Sequence, residues 1–490
     1  MKHFKRGLFL FLPLCFLALS LKAAELDFTA LNQIAKEHLI NLINIDTAQP
    51  EPQETKAVRY IYKVLNKHRI DWDIYRTEKP RGNLIAVIKA SKDLREPAKE
   101  PLILIAHLDT AAPQEGWTFP YSNATVKDGK IYGLGATDAK NYTAVNLTIL
   151  TRLAKGDIKL NRDIIFLFTS DEESGSEKGL KFLYDRHPEK LKAAYALNEG
   201  GGIIQNQGQN PPQILFVEAA TKMYMDVLLS AKGEGGNSSA VGQNNAIYKL
   251  SQALSAIENY QPPFKLSPLN KEFFSRIYPY QDDDAKTTLQ LLNSADAEQV
   301  QQAAKIISED EFFKTQISDT LTPTVLTAGS ELNTVLNEAS ANLNCRLMPQ
   351  SDPMEFVKDL GKLFAEDETI TLTVIEKPEM PFPQPPQNFD DPLFKAIEQS
   401  AKDLNPDMLV LPGIIPASSE SEFLRRHGVT AYGIGPLIQK ESGRPHQPDE
   451  NIEEKDFFEQ LRLTFDIVLN LCEEQPLPPA PQEEEQADNL

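Results

Sequence analysis

Between residues 83 and 220, short apolar runs alternate with amphipathic stretches. Asn83–Ile88, Leu102–Ala106, Asp163–Phe168 and Ala193–Leu197 read as buried strands, and Tyr142–Leu153 between them reads as a helix. Two earlier helices are predicted over Leu31–Ile45 and Val58–Asn66, and the charged stretch Lys89–Pro101 reads as a surface loop. Strands alternating with helices predict an α/β domain around a mostly parallel central sheet.

The pattern changes near residue 221. Met225–Ala231 and Ala339–Met348 read as strands, and Ala246–Ile257 and Met354–Phe364 as helices, which predicts an α+β insert. Within it, Pro262–Ser318 is polar, acidic and poor in strand signal, a helical elaboration or a mobile flap. Pro378–Pro386 marks the return to the first domain, where helices Leu393–Leu404 and Phe457–Cys472 flank a strand at Val429–Ile434. The expected organisation is a leader (1–23), an α/β domain in two parts (24–220 and 379–474), an inserted domain (221–378, with the helical insertion at about 262–318) and a tail (475–490). The tail, Pro-rich and then acidic, cannot build a core.

Length and charge narrow the class. A chain of 490 residues suggests two domains. A formal charge of −20 argues against nucleic-acid partners, which need a basic face, and weakly against adhesion to anionic lipid. Lys2, Lys5 and Arg6 precede an apolar run from Gly7 to Leu21, then Lys22-Ala23-Ala24, the pattern of a secretory signal peptide cleaved near Ala23. The run is shorter than the ~20 residues of a spanning helix, so the expectation is a secreted or periplasmic protein with no stable membrane insertion. Cys15 leaves with the leader; Cys345 and Cys472 remain, either bridged or as two buried free thiols.

The chemistry concentrates where the apolar runs end. His107 and Asp109 close the run Leu102–Ala106, two residues apart and so on one face of the sheet. A lone strand-end histidine is more often structural than a ligand, but a carboxylate beside it can fix its tautomer and raise its basicity. Asp171, Glu172 and Glu173 follow Phe166–Ser170; three consecutive acids repel one another and favour a cation, though a solvated acidic loop is the plain alternative. Asp138 sits in a Gly-rich turn entering a helix, Glu199 precedes Gly200-Gly201-Gly202, and His446 lies in a loop before the last helix. Each is weak alone. Their joint placement, mostly at the ends of successive strands, points to the edge where open α/β sheets place ligands, and to a two-metal hydrolase.

The set His-Leu-Asp-Thr (107–110), Gly-Leu-Gly-Ala-Thr-Asp-Ala-Lys (133–140), Asp-Glu-Glu-Ser-Gly (171–175), Asn-Glu-Gly-Gly (198–201) and Arg-Pro-His (444–446) resembles the zinc peptidase family of aminoacylase, glutamate carboxypeptidase, carboxypeptidase S and succinyl-diaminopimelate desuccinylase, the co-catalytic dizinc exopeptidases. The resemblance implies a phosphorylase/hydrolase-like catalytic domain interrupted by a ferredoxin-like lid, which also serves for dimerisation. It implies two Zn2+ per subunit, with Co2+ or Mn2+ as substitutes. Asp138 would bridge the ions, with the peptide to Ala139 cis; His107 and Glu199 would complete one site, Glu173 and His446 the other. Glu172 would be the general base for a metal-bridging water, and Asp109 would orient His107. In the lid, Asn237, Asn333 and Arg346 would contact substrate, the arginine as a carboxylate clamp.

Several positions depart from the family pattern. Asn237 stands where the family has a histidine that reaches the partner's active site in dimers, Leu134 replaces an arginine, Glu420 and Glu422 replace a Thr-Asp and arginine pattern, and the lid is longer. The expected function is cleavage of a peptide or N-acyl amide bond beside a free carboxylate, of carboxypeptidase, dipeptidase or aminoacylase type. The substrate would be a small peptide or N-acyl amino acid, and the lid would offer a homodimer interface. The alternative is a metal-binding pseudo-enzyme with an altered lid; the retained base Glu172 argues against it.

Overall fold

The computed structural model describes residues 26–78, 80–205, 211, 213–239, 244–438 and 444–474. The expected leader with Cys15, and the tail from 475, lie outside the described residues. Among those described, no helix is long and apolar enough to cross a membrane.

A ten-stranded sheet organises the larger part. Its centre is parallel, Arg162–Thr169, Lys99–His107, Tyr195–Asn198 and Thr430–Gly433 lying side by side, while Asn83–Ile88 runs antiparallel at one flank. The strand Lys99–His107 shows why these segments lack polar alternation. Leu102 and Leu104 enter one core with the helices Phe28–Ile43, Lys140–Leu153 and Glu454–Cys472, whereas Ile103 and Ile105 enter another with Leu180, Leu183 and Leu424. Both faces are covered, so both sets must be apolar. The sheet also contains Leu409–Ile415, a strand without a clear sequence signal because Pro412 and Gly413 sit inside it. Among the described residues it pairs only with Gln213–Thr221, and a proline is tolerated on such an edge strand.

The smaller sheet has the order Thr320–Thr327, Glu338–Leu347, Met223–Lys232, Ile370–Glu376, all antiparallel. Burial alternates along Glu338–Leu347, and one face packs on the helices Ala246–Glu258 and Pro353–Gly361. A half-covered sheet needs only that alternation.

The segment 262–318 is helical, with helices Pro268–Ile277, Asp283–Leu291, Ala297–Ile307 and Glu311–Ile317. Its acidic character has a local cause: Asp282, Asp296 and Asp310 each accept a backbone N–H as helix N-caps. Although the chain pattern groups it with the insert, this segment packs on the large sheet. Phe273, Phe274, Ile277 and Ile317 bury against Ile214, Phe216 and Leu411. Gln316 donates to the Ile414 carbonyl (3.0 Å) and accepts from its N–H (2.8 Å), covering the edge strand's unpaired backbone.

Candidate metal centre

Five ligand-type side chains converge at the carboxyl edge of the parallel strands. His107 ends Lys99–His107, Glu173 lies in the short turn Glu172–Ser174 after Arg162–Thr169, and Glu199 follows Tyr195–Asn198. Asp138 sits in the turn before Lys140–Leu153, and His446 in the loop before the strand Asn451–Glu453. Gly201, at φ +66°, permits the chain to turn past Glu199; a Cβ there would lie 2.1 Å from the Phe216 carbonyl oxygen.

Asp138 divides the cluster in two. Its Oδ1 lies 3.0 Å from His107 Nε2, which is also 3.3 Å from Glu199 Oε2. Its Oδ2 lies 3.0 Å from His446 Nε2, which is 3.2 Å from Glu173 Oε1. In each triad the ligand atoms all lie within 4.8 Å of one another. A tetrahedral ion with bonds of ~2.0–2.1 Å separates its ligands by ~3.3 Å, so the spacing fits one cation on each side of Asp138. The Asp138–Ala139 peptide is cis.

The charges agree with that fit. Burial opposes ionisation of His107, but Glu199, Asp109 and Asp138 overcome it and hold its pKa well above the usual imidazole range. Hydrogen bonds to Asp138 and Glu173 raise His446 to about 11. Burial, with Glu199, Glu420 and Asp138 nearby, raises Glu172 well above the carboxylate range in spite of His107. This cluster of acids therefore calls for positive charge, which protonated imidazoles supply when no cation is bound.

Asp109 does more than orient His107. The His107 Nδ1 donates to the backbone carbonyl of Asp109 at 3.0 Å, while the Asp109 carboxylate is 3.6 Å away. That carboxylate, fully buried, accepts from the Glu172 N–H (3.1 Å), the Glu173 N–H (3.2 Å) and Gln49 Nε2 (3.1 Å). It thus fixes the turn that carries both the candidate base and a ligand.

Other supports were not legible as such in the sequence. Glu420, noted there only as a departure, is buried and accepts from Thr169 Oγ1 (2.8 Å) and Ser176 Oγ (3.1 Å), one at each end of the 170–175 turn. Glu450 accepts from the Thr137 N–H (2.8 Å) and Oγ1 (3.0 Å), tying the His446 loop to the Asp138 turn. Arg81 bridges buried Glu54 (2.5 Å) and Asp171 (3.2 Å) behind the acidic turn. The only available signal was the residue type, since every one of these contacts joins distant segments.

The lid residues stand apart. Asn237 is exposed in a small ribbon with Thr334, and its Oδ1 accepts from the Ser239 N–H and Oγ. Asn333, exposed in the same ribbon, accepts the Ser238 N–H through its backbone carbonyl. Arg346 lies over the Tyr224 ring, 4.7 Å from its centroid, and donates to Asn344 Oδ1 at 3.3 Å. Among the described residues none of these three side chains bonds to the metal cluster. Cys345 and Cys472 are free and buried in different elements.

The profile of peptidase family M20/M25/M40 matches residues 103–470. The N-fatty-acyl-amino acid synthase/hydrolase PM20D1 of Mus musculus is 24% identical over 385 residues, covering 76% of this chain and 75% of that protein. Aminoacylase-1 of Dictyostelium discoideum is 23% identical over 446 residues, covering 88% and 95%. Among solved structures, the M20 family metallo-carboxypeptidase Sso-CP2 from Sulfolobus solfataricus shares the fold with a TM-score of 0.64 at 20% identity, over 89% of this chain and 98% of that one.

Proposed function

The chain belongs to peptidase family M20/M25/M40, metal-dependent hydrolases of amide bonds, and from that premise we propose that it is an exported dizinc enzyme cleaving a peptide or N-acyl amide bond beside a free carboxylate. One observation carries the reading: Asp138 offers one oxygen to each of two histidine–carboxylate pairs, with Glu172 beside them. His107, Glu199 and Asp138 would hold one cation, and His446, Glu173 and Asp138 the other. Zinc suits compact imidazole and carboxylate sites, with Co2+ or Mn2+ as competitors. Bound there, the cations would polarise the scissile carbonyl and lower the pKa of the attacking water.

The chain's own residues handle the protons. Glu172 accepts a proton from water as the oxygen adds to the amide carbon, then delivers it to the amine nitrogen as the C–N bond breaks. Asp109 holds the backbone of Glu172 and Glu173 through both steps. Arg346 is the candidate for the substrate carboxylate, since among the described residues no carboxylate pairs with its guanidinium within ion-pair distance. The names of the relatives (acyl-amino acid hydrolase, aminoacylase, carboxypeptidase) support a substrate with an acylated nitrogen next to a free carboxylate.

The leader pattern at Lys2–Ala24 supports export. Exposed Val325 and Leu326 on the lid's edge strand support a second copy as partner. Metal-loaded protein screened on dipeptides and N-acyl amino acids should turn over at least one class. Glu172→Gln should lower kcat ~10²–10⁴-fold with metal content unchanged. Full activity in that variant would sink the mechanism.

A further inference from the structure

Helix Lys140–Leu153 is buried at every residue except Tyr142. Its partly exposed ring stands one turn after Asp138, and its hydroxyl rests against Gly435, where a Cβ would come within 2.8 Å of the phenolic oxygen. The same point beside Gly435 lies 2.8 Å from the Gly201 carbonyl oxygen, so the hydroxyl stands next to the turn that follows the candidate ligand Glu199. Among the described residues no acceptor takes the Tyr142 O–H. The hydroxyl therefore stands beside the Glu199 turn with its proton available to something that enters. The lid donors Asn237, Asn333 and Arg346 make no bond to this cluster, which leaves Tyr142 as an uncharged donor already in place.

We propose that Tyr142 is a catalytic residue whose O–H donates to the substrate carbonyl oxygen and stabilises the negative charge that develops there. The inference rests on the amide-hydrolase reading given above. As the water oxygen bonds to carbon, the C=O π pair moves onto the carbonyl oxygen and the Tyr142 hydrogen bond tightens. The water's proton goes to Glu172. When the C–N bond breaks, the pair returns to carbonyl, Glu172 protonates the amine, and Tyr142 keeps its proton throughout. A neutral phenol, with an ordinary pKa of ~10, is a donor at neutral pH without any proton transfer of its own.

The test compares metal-loaded wild type with Tyr142→Phe. Loss of an oxyanion donor costs ~10²–10³ in kcat, and KM should change far less. A phosphinic dipeptide analogue, a tetrahedral mimic, should bind the variant weaker by the same factor in calorimetry, while product amino acid binds both alike. Equal kcat and equal phosphinate affinity would overturn the proposal. If Tyr142→Phe does not fold, 3-fluorotyrosine and 3,5-difluorotyrosine at position 142 keep the hydroxyl and decide the matter: phosphinate affinity rising with phenol acidity supports it, and invariance overturns it. Glu172→Gln separates the two claims. Its full activity would overturn the hydrolase reading, whereas an inactive Glu172→Gln beside a fully active Tyr142→Phe would overturn the role of Tyr142 alone.

Discussion

Replacing Asp109 by asparagine should reduce turnover much more than metal affinity. The buried carboxylate serves three donors, the N–H groups of Glu172 and Glu173 and the side-chain amide of Gln49. An asparagine has one carbonyl oxygen, so either Glu172 N–H or Glu173 N–H would face an NH2 group. A hydrogen bond to a charged acceptor contributes ~1.5–3 kcal/mol, and the surviving bonds would weaken to neutral strength, giving ~3–5 kcal/mol lost from the turn. A shift of ~1 Å in the base is enough to cost ~10² in rate. His107, by contrast, keeps its Nδ1 bond to the backbone carbonyl at 3.0 Å. Removal of a second layer around a metal costs ~10–100-fold in affinity or activity, and here the loss should fall on activity. Steady-state kinetics at saturating zinc, with zinc affinity from competition against a chelating dye, should show kcat down ~10²-fold and affinity changed less than ~10-fold. The reverse pattern, weakened zinc with kcat restored at saturation, would show that the carboxylate works through His107 and refute this reasoning.

Burial raises Glu420 from 4.5 to about 7, so the folded protein holds the extra proton between those values. Stability present below pH 4.5 is then lost as pH rises through about 7, by ~1.4 kcal/mol per unit at most. In urea unfolding of the metal-free protein, Glu420→Gln should flatten that slope. Phe273→Ala removes a fully buried ring that meets Phe274, Phe312 and Phe313. It should cost ~3–5 kcal/mol in urea unfolding and leave kcat of the folded enzyme unchanged, because the helical segment braces the outer strands Gln213–Thr221 and Leu409–Ile415 and supplies none of the candidate ligands. Burial raises both Cys345 and Cys472 to about 12, so neither should react with a thiol reagent until the protein is denatured.

Most of the candidate ligand cluster was legible because its members follow local signals. His107 and Glu199 end apolar runs, Asp138 closes a Gly-rich turn, Glu199 adjoins Gly200, and Glu173 sits in an acid cluster. Periodicity also placed Ala246–Glu258 to within a residue. What escaped depends on contacts between segments far apart in the chain. The role of Asp109 arises from a turn more than sixty residues later that its carboxylate happens to reach. The strand Leu409–Ile415 was hidden by Pro412 and Gly413, which an edge position tolerates. The segment 262–318 displays an apolar face, but only the fold shows that this face meets Phe216 and Leu411 in the large sheet. Tyr142 gave no signal at all, since an aromatic in a helical pattern reads as core.

Hydrolysis should depend on two cations bridged by Asp138. Anomalous diffraction at the zinc edge from crystals of the metal-loaded, active protein tests it most directly. Two peaks ~3.5–4 Å apart are expected, one between Asp138 Oδ1, His107 and Glu199, the other between Asp138 Oδ2, His446 and Glu173. A single peak, or peaks away from Asp138 in protein that still turns over substrate, would contradict it.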